Sequence, residues 1–78
     1  MTVKTITEDG RQLTVQTLQK VDPLGVTYWQ GRAMFRIAHG SARADVVTRT
    51  RHATRESAEN AAIALARANG WVDDATST

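Results

Sequence analysis

A chain of 78 residues holds a single domain, and at this length folding buries only about 60% of the surface the unfolded chain exposes, so stability is narrow. A content of 41% hydrophobic and 23% charged residues excludes the composition of a disordered chain. The absence of cysteine excludes disulfides, thiolate metal sites and cysteine nucleophiles. No apolar run approaches the ~18 residues of a transmembrane helix, and Met1-Thr2-Val3-Lys4 lacks the apolar core of a signal peptide. A cytoplasmic chain with no membrane partner is the expectation.

The first half of the chain predicts strands. Thr2 to Glu8 is rich in threonine and β-branched residues, which favour strands. Asp9-Gly10 then predicts a two-residue type I′ hairpin. Arg11 to Lys20 is the second strand, with Leu13 and Val15 on one face. The turn sets the register: Glu8 opposes Arg11 as an ion pair, and Ile6 opposes Leu13. Val21-Asp22-Pro23-Leu24-Gly25 ends this strand, because proline fixes φ and glycine permits positive φ. Val26 to His39 is the third strand, with Gly31 expected at a bulge or bend. Ala33, Phe35 and Ile37 alternate with Arg32, Met34 and Arg36.

Gly40-Ser41 suits a two-residue type II′ turn, which leads into a fourth strand from Ala42 to Arg51. That loop length predicts Phe35 opposite Val46 and Ala33 opposite Thr48 on the apolar face. On the other face it predicts Arg36 opposite Asp45, Met34 opposite Val47 and Arg32 opposite Arg49. A helix from Arg55 to Asn69 completes the domain. Thr54 is its N-cap, Glu56 suits its first turn, Gly70 takes C′ and Trp71 folds back at C″. Ala58, Ala61, Ala62, Leu65 and Ala68 form its apolar stripe. The expected architecture is α+β: an antiparallel β-meander of three to four strands packed on one C-terminal helix, β-β-β-β-α, over 1–72, with a polar tail at 73–78.

The sequence offers little for catalysis. His39 and His52 are the only histidines, and Ser57 falls in the first helical turn, where capping is the simpler role. Two separated histidines and scattered acids make no metal site, and the five isolated glycines make no phosphate loop. No enzyme activity, metal or cofactor is expected. The charge is distributed more tellingly. Eight of the ten cations are arginine, and the net charge is +2. Between Gly31 and Arg55 stands one acid, Asp45, against Arg32, Arg36, Arg43, Arg49, Arg51 and Arg55. The outward face of the last two strands therefore collects Arg32, Met34, Arg36, Val47, Arg49 and Arg51 as a partner-binding surface. Trp29 or Tyr28 is its exposed aromatic, with Trp29 taken as the anchor. The same residues also fit a plain solvated sheet face.

Two resemblances bear on function. Strands leading into Thr54-Arg55-Glu56-Ser57-Ala58-Glu59-Asn60-Ala61-Ala62 resemble the end of a double-stranded-RNA-binding domain over roughly Val26 to Gly70. The first helix of that family has no counterpart, and Arg55-Glu56 stands where that family has a Lys-Lys pair, so the likeness implies a fold. By size, layout and lack of cysteine the whole chain resembles the small proteins of phages and mobile elements, anti-CRISPR proteins among them. That resemblance implies a non-enzymatic inhibitor that docks on a host protein or nucleoprotein complex, such as a CRISPR effector, and blocks it sterically. The alternative is a small nucleic-acid-binding protein using the same basic face. A homodimer through an uncovered sheet edge is a third expectation.

Overall fold

The computed structural model describes residues 2–37 and 42–72. Four strands in the order β1 (Thr2–Glu8), β2 (Arg11–Val21), β3 (Thr27–Arg36) and β4 (Arg43–Val47) form one antiparallel meander, and α1 (Arg55–Ala68) follows. This is the expected β-β-β-β-α order. The turn after β1 has φ of 53° at Asp9 and 73° at Gly10, the paired positive values of a type I′ turn. It fixes Glu8 opposite Arg11 and Ile6 opposite Leu13, as the sequence predicts. The carboxylate of Glu8, however, accepts from Arg67 of the helix at 3.0 and 2.6 Å.

One face of the sheet carries the core. Leu13 and Val15 of β2 and Ala33 and Phe35 of β3 are buried, together with Ala58, Ala62 and Ala66 of α1. Each fully buried Leu or Val contributes about 1.5–3 kcal/mol, and the alanines let the helix sit close. The buried helix stripe is Ala58-Ala62-Ala66, which keeps the predicted Ala58 and Ala62 and adds Ala66. Ala61 and Leu65 lie half-buried at its flanks, and Ala68 is exposed. One narrow i, i+4 ridge seats on β3, which leaves the residues to either side at the rim. Gly31 explains that seat. The β2–β3 register runs unbroken from Leu13–Phe35 to Val21–Thr27, so Gly31 marks no bulge on that side. It is instead the place where α1 presses on the strand: a Cβ there would lie 2.3 Å from the Ala58 carbonyl oxygen.

The helix ends follow the sequence. Thr54 is extended at φ −130° and ψ 155°, and its hydroxyl accepts from the Ser57 N–H. At the other end Trp71 N–H donates to the Ala66 carbonyl and Gly70 N–H to the Arg67 carbonyl, with Gly70 at φ 91°. This pair of bonds is the Schellman motif. It delivers Trp71 and Val72 into the core, where their exposures are 0% and 3%.

The β3–β4 register differs from the expected one by two residues. Phe35 opposes Ala44, Met34 opposes Asp45, Arg32 opposes Val47 and Arg36 opposes Arg43. Ile37 N–H donates to the Ala42 carbonyl, so four residues connect the strands where the sequence predicts two. The even shift keeps every side chain on its expected face but changes every partner. The Gly40-Ser41 turn and the 73–78 tail lie outside the described residues. β4 is also shorter than expected, because the ladder breaks after Val47. Gly31 N–H donates to Thr48 Oγ1, and Gln30 Nε2 takes the Thr48 carbonyl. Pairing resumes two residues out of step at Trp29–His52, so Arg49-Thr50-Arg51 bulges opposite Gln30. That bulge lies next to β4 rather than at Gly31.

Candidate functional site

Among the described residues, none covers the sheet face opposite α1. Even positions of β3 and odd positions of β4 lie there, so Arg32, Met34 and Arg36 share it with Arg43, Asp45 and Val47. Thr14 of β2 stands opposite Met34. Thr14, Met34, Arg36, Arg43 and Asp45, together with Gln12, line an open trough of about 1070 Å³. Met34 is half-buried at its floor, and Val47 is 43% exposed.

The charges on this face divide into a satisfied pair and an unsatisfied one. Arg32 donates Nε to Asp45 Oδ1 at 2.8 Å and Nη2 to Asp45 Oδ2, a bidentate fork. The hydrogen bond from Arg32 holds the Asp45 carboxyl below its ordinary value, and the same bond raises the guanidinium. The predicted Arg36–Asp45 pair and Arg32–Arg49 repulsion are thus both replaced. The repulsion falls instead on Arg36 and Arg43, which oppose each other directly and are both exposed. Like charges placed so are destabilising, and neither makes an ion pair with another described residue. A two-residue loop would set Arg43 on this face but opposite Ala38, away from Arg36, so the sequence pattern does not bring the two together.

The other expected site residues disperse. Arg49 is exposed within the bulge and borders a shallow concavity at the β4 edge with Leu65 and Asn69. Arg51 is engaged internally: Nη1 donates to Asp22 Oδ2 at 2.8 Å, and the guanidinium lies 4.8 Å over the Tyr28 ring. Trp29 occupies the helix-side position of β3, two residues from Gly31, and its backbone pairs with His52. Tyr28 is therefore the aromatic of the open face, and it is half-buried beside Arg51.

A surface not foreseen in the sequence lies at the β2–β3 tip. Leu24 is 89% exposed there, with Val21 at 64% and Val26 at 58%. Asp22 ties the loop together by accepting from the Leu24 and Val26 N–H groups at 2.9 Å each. The signal was in the sequence, since Val21, Leu24 and Val26 flank the turn residues Pro23 and Gly25.

His52 and Ser57 come together, with Nδ1 3.0 Å from Oγ. Ser57 also stands on the Thr54 cap. The other ring nitrogen of His52, where an orienting carboxylate would bond, is buried without a hydrogen-bond partner among the described residues. The pair therefore belongs to the helix start and lacks the third member of a nucleophile arrangement. Among the described residues no group of three or more His, Asp or Glu is placed to hold a metal ion, and no helix is long and apolar enough to cross a membrane.

Three carboxyls are held below their ordinary values. Glu8 is lowered chiefly by the hydrogen bond from Arg67, Asp22 chiefly by the Val26 N–H, and Asp45 by Arg32. A depressed carboxyl stabilises the fold fully above its unfolded value, 4.5 for Glu8 and 3.8 for the two aspartates. That contribution is lost as pH falls through the lower folded value. Urea midpoints are therefore expected to be flat above about pH 5 and to drop below about pH 4. The triple variant Glu8→Gln, Asp22→Asn, Asp45→Asn is expected to show a shallower acid limb. An unchanged limb would mean that these pairs do not set it.

No known protein family, curated protein or solved structure matches the chain.

Proposed function

We propose that this chain is a non-enzymatic binding module that docks through its open sheet face on a host protein or nucleoprotein complex and blocks it by occlusion. Small phage inhibitors of the anti-CRISPR type act in this way, and a CRISPR effector is a complex of the right kind. Such a partner places its action in the cytoplasm. The observation that carries the reading is the exposed Arg36–Arg43 opposition beside Met34, with Val47 farther along the same face. Two guanidiniums held side by side without a described carboxylate suit an acidic partner, and the adjoining apolar groups supply contact that salt does not screen. Arg32, already neutralised by Asp45, orders the face rather than charging it.

A basic face also supports a second reading, nucleic-acid binding. It is favoured by Arg36, Arg43 and Arg49, three exposed arginines that make no ion pair with a described residue. Salt separates the two. Each neutralised phosphate contributes a slope of about −0.9 log unit of affinity per log unit of salt, whereas docking around Met34 and Val47 depends on salt less. A tagged chain is expected to retain one multisubunit complex from a bacterial lysate in moderate salt. That complex should be lost with the double variant Arg36→Glu, Arg43→Glu and with Met34→Asp. Recovery of nucleic acid alone, shifted in gels only at low salt, would replace the first reading with the second.

A further inference from the structure

β1 is an edge strand, and the hydrogen-bond alternation tells which of its groups are free. In a two-residue hairpin the flanking residues, here Glu8 and Arg11, exchange both backbone hydrogen bonds. The even residues of β1 therefore bond to β2. The far end of the hairpin pair agrees: Asp22 N–H donates to the Val26 carbonyl, so even residues of β2 face β3 and odd ones face β1. Val3, Thr5 and Thr7 are left with N–H and C=O groups pointing away from the sheet.

Edges of this kind are normally blunted by short length, proline, a bulge or an uncompensated charge. β4 is so protected: it has five residues and runs directly into the Arg49–Arg51 bulge. β1 has seven residues in unbroken register with β2 and contains no proline, and Val3 is 57% exposed. Its one cation, Lys4, is compensated by Glu59 at 3.0 Å.

The strand is complementary to itself. Lys4 and Glu8 flank Ile6 at equal distance. Laid antiparallel on a second copy about Ile6, Lys4 falls opposite Glu8 of the partner subunit, and Ile6 meets Ile6 of the partner subunit. Thr5 then meets Thr7 of the partner subunit, and because odd residues point outward, these are the hydrogen-bonded pairs. The intrachain bonds of Lys4 to Glu59 and of Glu8 to Arg67 extend this into a row of alternating sign across the axis. It runs Glu59, Lys4, then Glu8 of the partner subunit, then Arg67 of the partner subunit. Ile6, which packs on the core of its own chain, carries that apolar layer across. A shift of two residues sets Lys4 against isoleucine and loses the match.

We propose that the chain forms a two-fold symmetric dimer through β1 in the Lys4–Glu8, Ile6–Ile6 register, doubling the four-stranded sheet. The dimer uses the edge and leaves the open face free, so it stands apart from the docking reading. A single strand pair buries little surface, so the dimer is expected to be concentration-dependent.

The test is sedimentation equilibrium from about 1 μM to about 1 mM, with circular dichroism on each variant. The wild-type chain is expected to approach twice the chain mass. Lys4→Glu alone and Glu8→Lys alone each place two like-charge pairs across the axis, and each should weaken association about tenfold or more. An equimolar mixture of these two variants should associate again, because every cross-axis pair is then opposite in sign. A purely intrachain role for the two residues gives no such recovery. Thr5→Pro removes an outward N–H that β2 does not use, so it should keep the fold and abolish the dimer. A monomer at every concentration overturns the proposal, as does a dimer indifferent to Thr5→Pro or a mixture that fails to recover.

Discussion

Gly31→Ala is expected to cost about 3 kcal/mol or more, and Gly31→Val to leave no folded chain at 37 °C. The reason is space, not backbone conformation, since Gly31 lacks the positive φ of Gly10, Gly25 and Gly70. A Cβ at Gly31 would lie 2.3 Å from the Ala58 oxygen and 3.0 Å from the Ala62 Cβ. The nearest obstacle is backbone, which cannot rotate away as a side chain would. Lifting the helix would strain the Lys4–Glu59 and Glu8–Arg67 pairs and withdraw the alanine ridge from the core. Gly25→Ala is the control: nothing lies within 4 Å of its Cβ, and only its φ of 84° is strained. It is expected to cost about 1 kcal/mol. Urea titration followed by circular dichroism measures both. A Gly31→Ala chain within about 0.5 kcal/mol of wild type would sink the close seat.

Trp71→Ala is the second large effect, at about 3–5 kcal/mol. A domain of 78 residues has about 4–12 kcal/mol in total at ordinary values per residue, so this variant consumes much of it. Trp71 is fully buried and is held by the Ala66 carbonyl behind the Gly70 turn, so no neighbouring side chain can move in to replace it. Its indole N–H has no hydrogen-bond partner among the described residues, and Arg67 lies 5.3 Å over the ring. Trp71→Phe keeps most of the volume and deletes that unpaired N–H, so it should cost clearly less than Trp71→Ala. Thermal unfolding of the pair reads the difference; equal losses would show that packing volume is not the source.

The elements were legible because their signals are local. Asp9-Gly10 specifies a turn by backbone chemistry alone, and Thr54 and Gly70 bracket the helix in the same way. The β3–β4 register was not legible, because loop length decides it and Gly40-Ser41 reads equally well inside a longer connection. That one ambiguity exchanged the partners of Arg32 and Arg36 and hid Arg43. Gly31 was misread for a different reason. A glycine within a strand signals either a bulge or the close approach of another segment, and only the position of the helix distinguishes them. The fate of Arg51 depended on Asp22, twenty-nine positions away, which no strand pattern reveals.

The meander also carries an expectation for the order in which this chain assembles. Each strand pairs with its neighbour in sequence, so the hairpins close short loops at small entropic cost. The long closures come with the helix, whose ion pairs to β1 join residues 55 and 59 positions apart. The sheet is therefore expected to form early with its inner face wet, and helix docking to be the late, costly step. Losses on the alanine ridge should consequently accelerate unfolding, while losses in the β1–β2 and β2–β3 ladders should slow folding.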